Sequence, residues 1–414
     1  MAQLNPSGPK AVRVLYSFPH KLGASRICNT AWQHVNALAA AGADLLVCPG
    51  VLHRALPPSV TIRPTLAWGK LRIPYRLLGK LRALDLHDYV VSRRLEQLVD
   101  KIDIVHTWPV GALRTLRTAA RLGIPTVLER PNAHTRFAYE VVRKECDRIG
   151  VPLPANHEHA FNPRILQREE AEYDCAFRIL CPSDFVRQTF LDQGFPSEKL
   201  VRHQYGFDHH QFHPGSAERN GRPFTLLFAG GCAPRKGLHF ALEAWLQSPA
   251  HHNGQFLIAG GFVPGYAEKL ATQLAHPSVR ALGHRHDVPE LMRQSDALVL
   301  PSIEEGSALV TSEARGSGCV LLVSEAAGAY CQHLDNSLVH SVGDVLALTQ
   351  HITLLHQDRS LLEKLRAASL ATVSEITWGA AGVKLRDAYE RVLGEFQGKS
   401  GIVAKKVARL EVAQ

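Results

Sequence analysis

The sequence lacks the segments that mark several large classes of protein. No uninterrupted apolar run approaches the roughly 20 residues that a membrane-spanning helix needs. We also find no zinc-ligand spacing, no aromatic RNA-binding signature and no helix-turn-helix pattern, so a nucleic-acid partner is not expected. The short apolar run at residues 11–18 has no small-residue cleavage site after it, and we interpret it as a first strand rather than a secretory signal.

The eight cysteines form no disulfide framework that the sequence reveals. They are scattered along the chain and include no CxxC pair. Several lie in apolar runs, such as LLVCPG and RILCPS, where cysteine behaves as a small hydrophobic residue. We therefore expect a reducing, cytoplasmic environment, with peripheral attachment to the inner face of a membrane left open.

Basic residues outnumber acidic ones, and the formal net charge is +9. Nucleic acid, an anionic membrane surface and phosphorylated small molecules all suit such a charge, as does a surface that is simply rich in lysine and arginine. Residues 63–82 contain six basic side chains and no acidic one, interleaved with aromatic and aliphatic residues. This segment either lies on an anionic membrane or forms a basic surface loop, since Pro74 and Gly79 interrupt any long helix.

A chain of 414 residues is longer than one hydrophobic core usually serves, which favours two domains. Apolar runs of strand length alternate with segments of helical periodicity, and this pattern restarts after the polar linker at residues 209–223. We predict an α/β protein of two doubly wound, Rossmann-like domains that face each other across a cleft. The first spans residues 1–208 and the second residues 222–374, and a C-terminal helix at about 375–397 packs back on the first.

The stretch PSIEEGSALVTSEARGSGCVLLVS, residues 301–324, has the order strand, loop, helix, strand. Loops that follow such strands bind ligands in open α/β sheets. This loop holds Glu304 and Glu305, and the helix carries Glu313. The free amides of a first helical turn can hold phosphate oxygens, and the carboxylates can accept hydrogen bonds from sugar hydroxyls. The alternative is that Glu305 only complements the helix dipole and Glu313 lies on a solvated face.

A second loop, in GGCAPRKGLHF, places two glycines after a strand and two cations before a helix. Glycine lets the backbone approach a ligand, and Arg235 and Lys236 at a helix entrance suit a diphosphate. The alternative is a surface turn with solvated basic side chains. Neither this loop nor SFPHKLGASR contains GxGxxG, which argues against an NAD-dependent oxidoreductase.

Residues 301–324 resemble the signature of retaining glycosyltransferases of family four, which have the GT-B fold. Glu305 and Glu313 match that family's two glutamates separated by seven residues, and Gly318 matches the glycine of its small-residue turn. LLFAGGCAPRKGLHFALEAW resembles the family's phosphate loop. The resemblance extends over about residues 10–395 and is strongest over residues 174–323.

The resemblance implies that Glu313 binds the ribose of a nucleotide diphosphate sugar and that Glu305 contacts the sugar hydroxyls. It also implies that Lys236 neutralises the departing diphosphate. A histidine of the N-terminal domain would lie near the reacting sugar, with His134 as the first candidate and His106 as its rival. Main-chain groups at the following positions would approach the sugar or the diphosphate: Gly23, Gly231, Ser307, Ala308 and Leu309.

The chain departs from the family pattern in two places. Gly231 stands where the family often has an arginine, and Arg235 would supply that second charge. Gly23 stands alone where the family often has two adjacent glycines.

No Asp-x-Asp occurs in the sequence, so we expect catalysis without a metal ion and without a further cofactor. The resemblance implies transfer of a hexose from a UDP- or GDP-type sugar, with retention, to a saccharide or lipid-linked acceptor in cell-surface polysaccharide or glycolipid synthesis. Three alternatives stay open: an epimerase or hydrolase on the same fold, an oxidoreductase, and a non-catalytic module that binds anionic partners.

Overall fold

Two parallel sheets, each covered by helices, form the framework of the molecule, and the prediction of an α/β, doubly wound fold is confirmed. The computed structural model describes residues 11–68, 71–72, 79–215 and 221–411. The strands of the described residues are β1 (Arg13–Leu22), β2 (Asp44–Leu52), β3 (Thr61–Ile62), β4 (Ala67–Trp68), β5 (Leu71–Arg72), β6 (Ile104–Thr107), β7 (Thr126–Glu129), β8 (Arg178–Cys181), β9 (Leu200–Arg202), β10 (Thr225–Ala229), β11 (Gln255–Ala259), β12 (Val279–Gly283), β13 (Ala297–Leu300), β14 (Val320–Ser324) and β15 (Ser337–His340).

Helices connect most of these strands and cover both faces of the sheets. The α-helices of the described residues are α1 (Ile27–Ala40), α2 (Lys80–Gln97), α3 (Leu113–Arg121), α4 (Thr135–Ile149), α5 (Pro163–Cys175), α6 (Asp184–Leu191), α7 (Leu238–Gln247), α8 (Tyr266–Lys269), α9 (Ala271–Leu274), α10 (Val288–Gln294), α11 (Leu309–Gly316), α12 (Val345–Gln357), α13 (Arg359–Ala371) and α14 (Trp378–Glu411).

The N-terminal sheet has the strand order β3-β2-β1-β6-β7-β8-β9, and the C-terminal sheet has the order β12-β11-β10-β13-β14-β15. Every residue of β6, β7, β8, β10 and β13 is buried. Burial along the whole strand is expected of parallel strands with helices on both faces. In each sheet the strand order reverses at one point, between β1 and β6 in the N-terminal sheet and between β10 and β13 in the C-terminal sheet. Ligands of doubly wound folds bind at such reversal points.

Local sequence signals explain where several helices begin. Asn162 caps α5 by accepting hydrogen bonds from the amides of Arg164 and Ile165, and Pro163 occupies the first helical position. Ser183 caps α6 by accepting a hydrogen bond from the Val186 amide, 3.1 Å away.

The C-terminal helix α14 crosses back and packs on α1 of the N-terminal domain. At Gly382 the two helices approach so closely that an added Cβ atom would lie 2.6 Å from the Ala37 backbone. Arg178 of β8 forms a 2.7 Å ion pair with Glu395 near the other end of this contact.

The basic segment at residues 63–82 is only partly described. Residues 69–70 and 73–78 lie outside the described residues, while Arg63, Lys80 and Arg82 are exposed. Among the helices that the structure describes, none combines the length and the apolar composition required to cross a membrane.

Candidate functional site

The two loops that the sequence singles out meet at the carboxyl ends of neighbouring strands. β10 and β13 pair in parallel, so the loop after β10 and the loop after β13 emerge side by side. The Ile303 amide donates a 2.9 Å hydrogen bond to the Arg235 carbonyl, which joins the loops directly. Gly237 is required here, because it has a φ of +69° and an added Cβ atom would lie 2.0 Å from the Pro301 carbonyl oxygen.

Two cations and two carboxylates form a buried ionic cluster where these loops meet. One guanidinium nitrogen of Arg235 lies 3.1 Å from Glu304 and 3.1 Å from Glu305. Lys236 forms an ion pair with Glu305. The side chains of Arg235 and Lys236 are only 11% and 16% exposed, so these charges interact with little screening by water. The sequence prediction placed Lys236 and Glu305 in one site, and the structure brings them into contact.

The cluster shifts the ionisation of its own members. Burial by itself would raise the pKa of Glu305, but Arg235 and Lys236 hold that pKa below its usual range. Burial opposes ionisation of Glu304 as well, yet the His159 hydrogen bond and Arg235 hold its pKa far below normal. Both carboxylates are therefore ionised at neutral pH and balance the two cations.

Glu304 also connects the two domains. Its carboxylate accepts a 3.0 Å hydrogen bond from the Ala133 amide and lies 3.1 Å from His159 Nε2. Two residues further along, Gly306 packs so tightly that an added Cβ atom would lie 1.5 Å from the Pro131 carbonyl oxygen. Ser183 donates a hydrogen bond to the Gly306 carbonyl from the N-terminal domain. The loop after β13 is thus the place where the domains close on each other.

The start of α11 lies beside this ionic cluster. The amide of Ala308 donates to the Ala327 carbonyl at 3.2 Å, so it is not available to a ligand. This corrects the expectation that all three amides at the helix start face a diphosphate. The amides of Ser307 and Leu309 have no acceptor within the part of the chain that the structure describes, and no side chain caps the helix.

Glu313 lies one turn further along α11 and is partly buried. Within the described residues its carboxylate has no hydrogen-bond or ion-pair partner. Burial raises the pKa of Glu313 to about 7. Hydrogen bonds from the hydroxyl groups of a ligand would stabilise the ionised form of this partly buried carboxylate.

A cavity of about 490 Å³ lies between the domains beside the start of α11. Ser307 and Ser312 of the C-terminal domain line it together with Ser183 and Tyr205 of the N-terminal domain. Lys236, Glu305 and Glu313 are not part of its lining, so the cavity adjoins the ionic cluster rather than containing it.

The two histidine candidates occupy the interior of the N-terminal domain. The His134 ring packs against Tyr173, Phe190 and Phe195, at centroid distances of 5.2, 4.9 and 5.7 Å. Burial is the main cause that lowers the pKa of His134 to about 3, and the nearby charges of Arg130 and Arg136 lower it further. His106 is fully buried and its Nδ1 lies 2.6 Å from the Tyr389 hydroxyl. Neither ring has a contact to the ionic cluster within the described residues, and His134 packs as a structural residue would.

The two candidate glycines differ in their surroundings. Gly23 has a φ of +87°, and an added Cβ atom would lie 2.5 Å from Arg54 Cβ, so the turn after β1 requires glycine. Gly231 is exposed and an added Cβ atom would meet nothing within 4 Å. The local fold therefore does not require glycine at residue 231.

Sequence reasoning missed the residues through which the domains meet. The sequence marks Glu304 only as an acidic neighbour of Glu305, and it does not indicate a domain contact for His159 or Ser183. A signal for Ser183 is present, since a Ser-Asp pair begins α6, but that signal indicates a helix cap and not a contact with the other domain.

Two family models of glycosyltransferases match the sequence, one in each domain. A family model described as Glycosyltransferase Family 4 matches residues 29–211, and one described as Glycosyl transferases group 1 matches residues 223–358. The two matches together cover well over half of the chain.

Two curated relatives from Escherichia coli match parts of the chain. A galactosyltransferase, UDP-Gal:alpha-D-GlcNAc-diphosphoundecaprenol alpha-1,3-galactosyltransferase, is 42% identical over 251 residues, which are 56% of this chain and 60% of the relative. The lipopolysaccharide glucosyltransferase WaaG of strain K12 is 28% identical over 174 residues, 41% of this chain and 42% of the relative. The chain thus spans about half the length of these relatives.

Similarity to solved structures extends over nearly the whole chain. HepE from Anabaena, solved in complex with UDP, superimposes with a TM-score of 0.63 at 16% identity, over 92% of this chain and 100% of HepE. At this identity the match establishes the fold alone. The family matches, the two facing α/β domains and this structural likeness lead to one conclusion: the chain belongs to the GT-B glycosyltransferases of the family-four type.

Proposed function

We propose that the protein transfers a hexose from a nucleotide diphosphate sugar to an acceptor hydroxyl, with retention of the anomeric configuration. The observation that supports this most strongly is the contact between Lys236, Arg235 and Glu305 at the ends of β10 and β13. It gathers cations for a diphosphate and a carboxylate for sugar hydroxyls at a single point of the domain interface.

The cations act on the leaving group. Cleavage of the anomeric bond leaves negative charge on the diphosphate, and buried cations that are already in position stabilise such charge strongly. In the structure Glu305 occupies both cations. A donor diphosphate would form an ion pair with Lys236 in place of Glu305. The Glu305 carboxylate could then accept hydrogen bonds from the sugar hydroxyls.

Glu313 is the proposed partner of the ribose. Glu313 lies one turn after Leu309 on α11, and its carboxylate has no protein partner among the described residues. Ribose hydroxyls would supply the donors that this half-buried carboxylate lacks, while the amides of Ser307 and Leu309 would face the diphosphate. Gly231 would allow the loop after β10 to approach the same phosphates.

We propose that the reaction needs no divalent ion. The sequence contains no Asp-x-Asp, and Arg235 and Lys236 supply the positive charge that a metal would otherwise bring to the diphosphate. Glu305 is not proposed as a nucleophile, because its ion pairs with both cations hold its pKa low and lower its basicity. The acceptor hydroxyl would instead attack from the leaving-group side, with the donor phosphate as base.

The relatives suggest the class of donor and acceptor. One relative is named for a UDP-galactose donor and a diphosphoundecaprenol-linked acceptor, and HepE was solved with UDP. We therefore propose a UDP- or GDP-type sugar and a saccharide or lipid-linked acceptor, in polysaccharide or glycolipid assembly at the cytoplasmic face of a membrane. The basic segment at residues 63–82 would face anionic lipid there.

The experiment is a thermal-shift screen of UDP, GDP, ADP, their sugars and NAD, with EDTA or with magnesium. A ligand that binds only the native state stabilises it by about 2.7 kcal/mol at a hundredfold excess over its dissociation constant. One nucleoside diphosphate should stabilise the wild type in EDTA and should fail to stabilise Glu313→Ala. The matched control is Glu268→Ala, an exposed glutamate without ion pairs among the described residues, which should respond like wild type. Stabilisation by NAD alone would overturn the proposal.

A further inference from the structure

A second cluster of ionisable side chains is buried inside the N-terminal domain. His34 lies on α1, His106 on β6 and Glu129 at the end of β7, and their side chains are 2%, 0% and 0% exposed. One possible ligand atom from each lies within 4.8 Å of the other two. Within the described residues, none of these three side chains contacts the ionic cluster of the proposed donor site. The buried group of His34, His106 and Glu129 is therefore separate from that site.

One oxygen of Glu129 has no hydrogen-bond partner among the described residues. Its Oε1 accepts from the Tyr205 hydroxyl at 2.8 Å and lies 2.9 Å from His203 Nε2. Its Oε2 is fully buried without a hydrogen bond, and so is His106 Nε2, which lies 3.6 Å away. His34 Nδ1 lies 3.9 Å from the same oxygen. That His34 nitrogen also lies 3.5 Å from the Tyr16 hydroxyl. Buried polar atoms are nearly always satisfied, so the two unpaired atoms that converge here, Glu129 Oε2 and His106 Nε2, require an explanation.

The separations fit a metal ion better than direct hydrogen bonds. Distances of 3.6 and 3.9 Å are too long for a nitrogen-to-oxygen hydrogen bond. Two ligands placed about 2.0–2.1 Å from a tetrahedral Zn²⁺ lie about 3.3 Å apart, and the two distances to Glu129 Oε2 exceed that value by about 0.3 and 0.6 Å. Two imidazoles and a carboxylate are a ligand set that Zn²⁺ accepts.

We propose that His34, His106 and Glu129 bind one Zn²⁺ ion inside the N-terminal domain. The three ligands leave a fourth position for water. The ion would neutralise the buried carboxylate and join α1, β6 and β7 at a point covered by α14. It acts on the folded structure and takes no part in the metal-independent transfer proposed above, so it does not depend on that proposal.

Neighbouring side chains already orient the proposed ligands. The Tyr389 hydroxyl of α14 lies 2.6 Å from His106 Nδ1, which directs the other ring nitrogen toward Glu129. His203 and Tyr205 hold the second carboxylate oxygen. Such outer contacts fix the ring orientation of metal-bound histidines, and their loss usually weakens metal binding about 10–100-fold. Through Tyr389, the ion would also secure the C-terminal helix to the N-terminal domain.

The test is the metal content of the full chain, produced without an affinity tag in zinc-supplemented medium and then gel-filtered. Wild type should retain close to one equivalent of zinc, and His106→Gln should lose it. Tyr389→Phe keeps all three ligands and should bind zinc about 10–100-fold more weakly in a competition with a chelator. His340→Gln is the matched control, because His340 is another buried histidine with unpaired nitrogens, in the C-terminal domain, and its loss should leave the zinc content unchanged.

Cobalt substitution keeps the proposal testable if His106→Gln fails to fold. Wild-type protein produced in medium with Co²⁺ should have a visible absorption spectrum with the intense bands of a four-coordinate site. Tyr389→Phe should alter those bands. Wild type that carries no zinc after gel filtration, or a cobalt spectrum identical to that of the free aqueous ion, would overturn the proposal. Zinc retained equally by wild type and a folded His106→Gln would overturn it as well.

Discussion

Replacement of Glu304 by glutamine should weaken the closed arrangement of the two domains. The carboxylate is fully buried and lies 3.0–3.1 Å from the Ala133 amide, His159 Nε2 and Arg235. Glutamine keeps the shape and one acceptor oxygen, which can still serve Ala133. Its amide group cannot accept from His159 or Arg235, so the two contacts that carry charge are lost.

The magnitude follows from those two contacts. A hydrogen bond to a charged group contributes roughly 1.5–3 kcal/mol, and removal of one partner of a buried ion pair costs roughly 3–5 kcal/mol. Arg235 keeps its 3.1 Å contact with Glu305, which moderates the loss. We expect Glu304→Gln to lower the free energy of unfolding by about 3 kcal/mol at neutral pH.

The effect should depend on pH in a defined direction. The pKa of Glu304 is lower in the folded protein than the value of about 4.3 in an unfolded chain. Its ionised form therefore contributes stability above about pH 4.3, and that contribution is lost as the pH falls toward the folded-state value. The difference between wild type and Glu304→Gln should be complete at pH 7 and should shrink below about pH 4.

Guanidinium unfolding followed by circular dichroism measures the stability, and small-angle scattering measures domain opening. Glu304→Gln should unfold at a lower denaturant concentration and show a larger radius of gyration. The exposed Glu268→Gln serves as the control and should match wild type in both. If Glu304→Gln unfolds at the same denaturant concentration as the control and keeps the wild-type radius of gyration, Glu304 does not hold the two domains together.

Three further predictions concern the domain interface and the proposed donor site. Gly306→Ala should prevent closure, because its Cβ atom would lie 1.5 Å from the Pro131 carbonyl oxygen, and it should show an enlarged radius of gyration with loss of transfer activity. Gly231→Ala should keep wild-type stability, since no atom lies within 4 Å of its added Cβ, and should lower only the donor affinity in calorimetric titration. Nucleoside diphosphate affinity should rise with pH across about pH 7, because hydroxyl donors favour the ionised form of Glu313, and Glu313→Gln should remove that dependence. Equal pH profiles of the two proteins would contradict the assignment.

The sequence predicted the fold and the meeting of two loops, because these depend on local patterns. Apolar runs such as β10 and β13 indicate buried parallel strands, and the loops after such strands lie at one edge of a sheet. The contact between Lys236 and Glu305 follows from that rule. It required no knowledge of how the domains are oriented.

The rest could not be predicted because it depends on tertiary contacts. The contact of Glu304 with Ala133 joins segments 171 residues apart, and nothing in its local sequence separates it from the neighbouring Glu305. The amide of Ala308 was expected to face a ligand, but the Ala327 carbonyl accepts from it. The aromatic surroundings of His134 come from α5, α6 and the turn that follows α6, which no spacing around the histidine reveals.

Sugar transfer by wild type and by Lys236→Ala, both in EDTA, is the decisive measurement for the proposed function. The assay follows release of the nucleoside diphosphate from the sugar nucleotide identified by thermal shift, with extracted membrane glycolipids as acceptors. We expect turnover by wild type without a divalent ion, and a rate lower by about 10²–10³ for Lys236→Ala, the loss expected when one preorganised charge-stabilising group is removed. The exposed Lys269→Ala should retain the wild-type rate. Undiminished turnover by Lys236→Ala, or wild-type turnover that ceases in EDTA and returns with magnesium, would contradict the account.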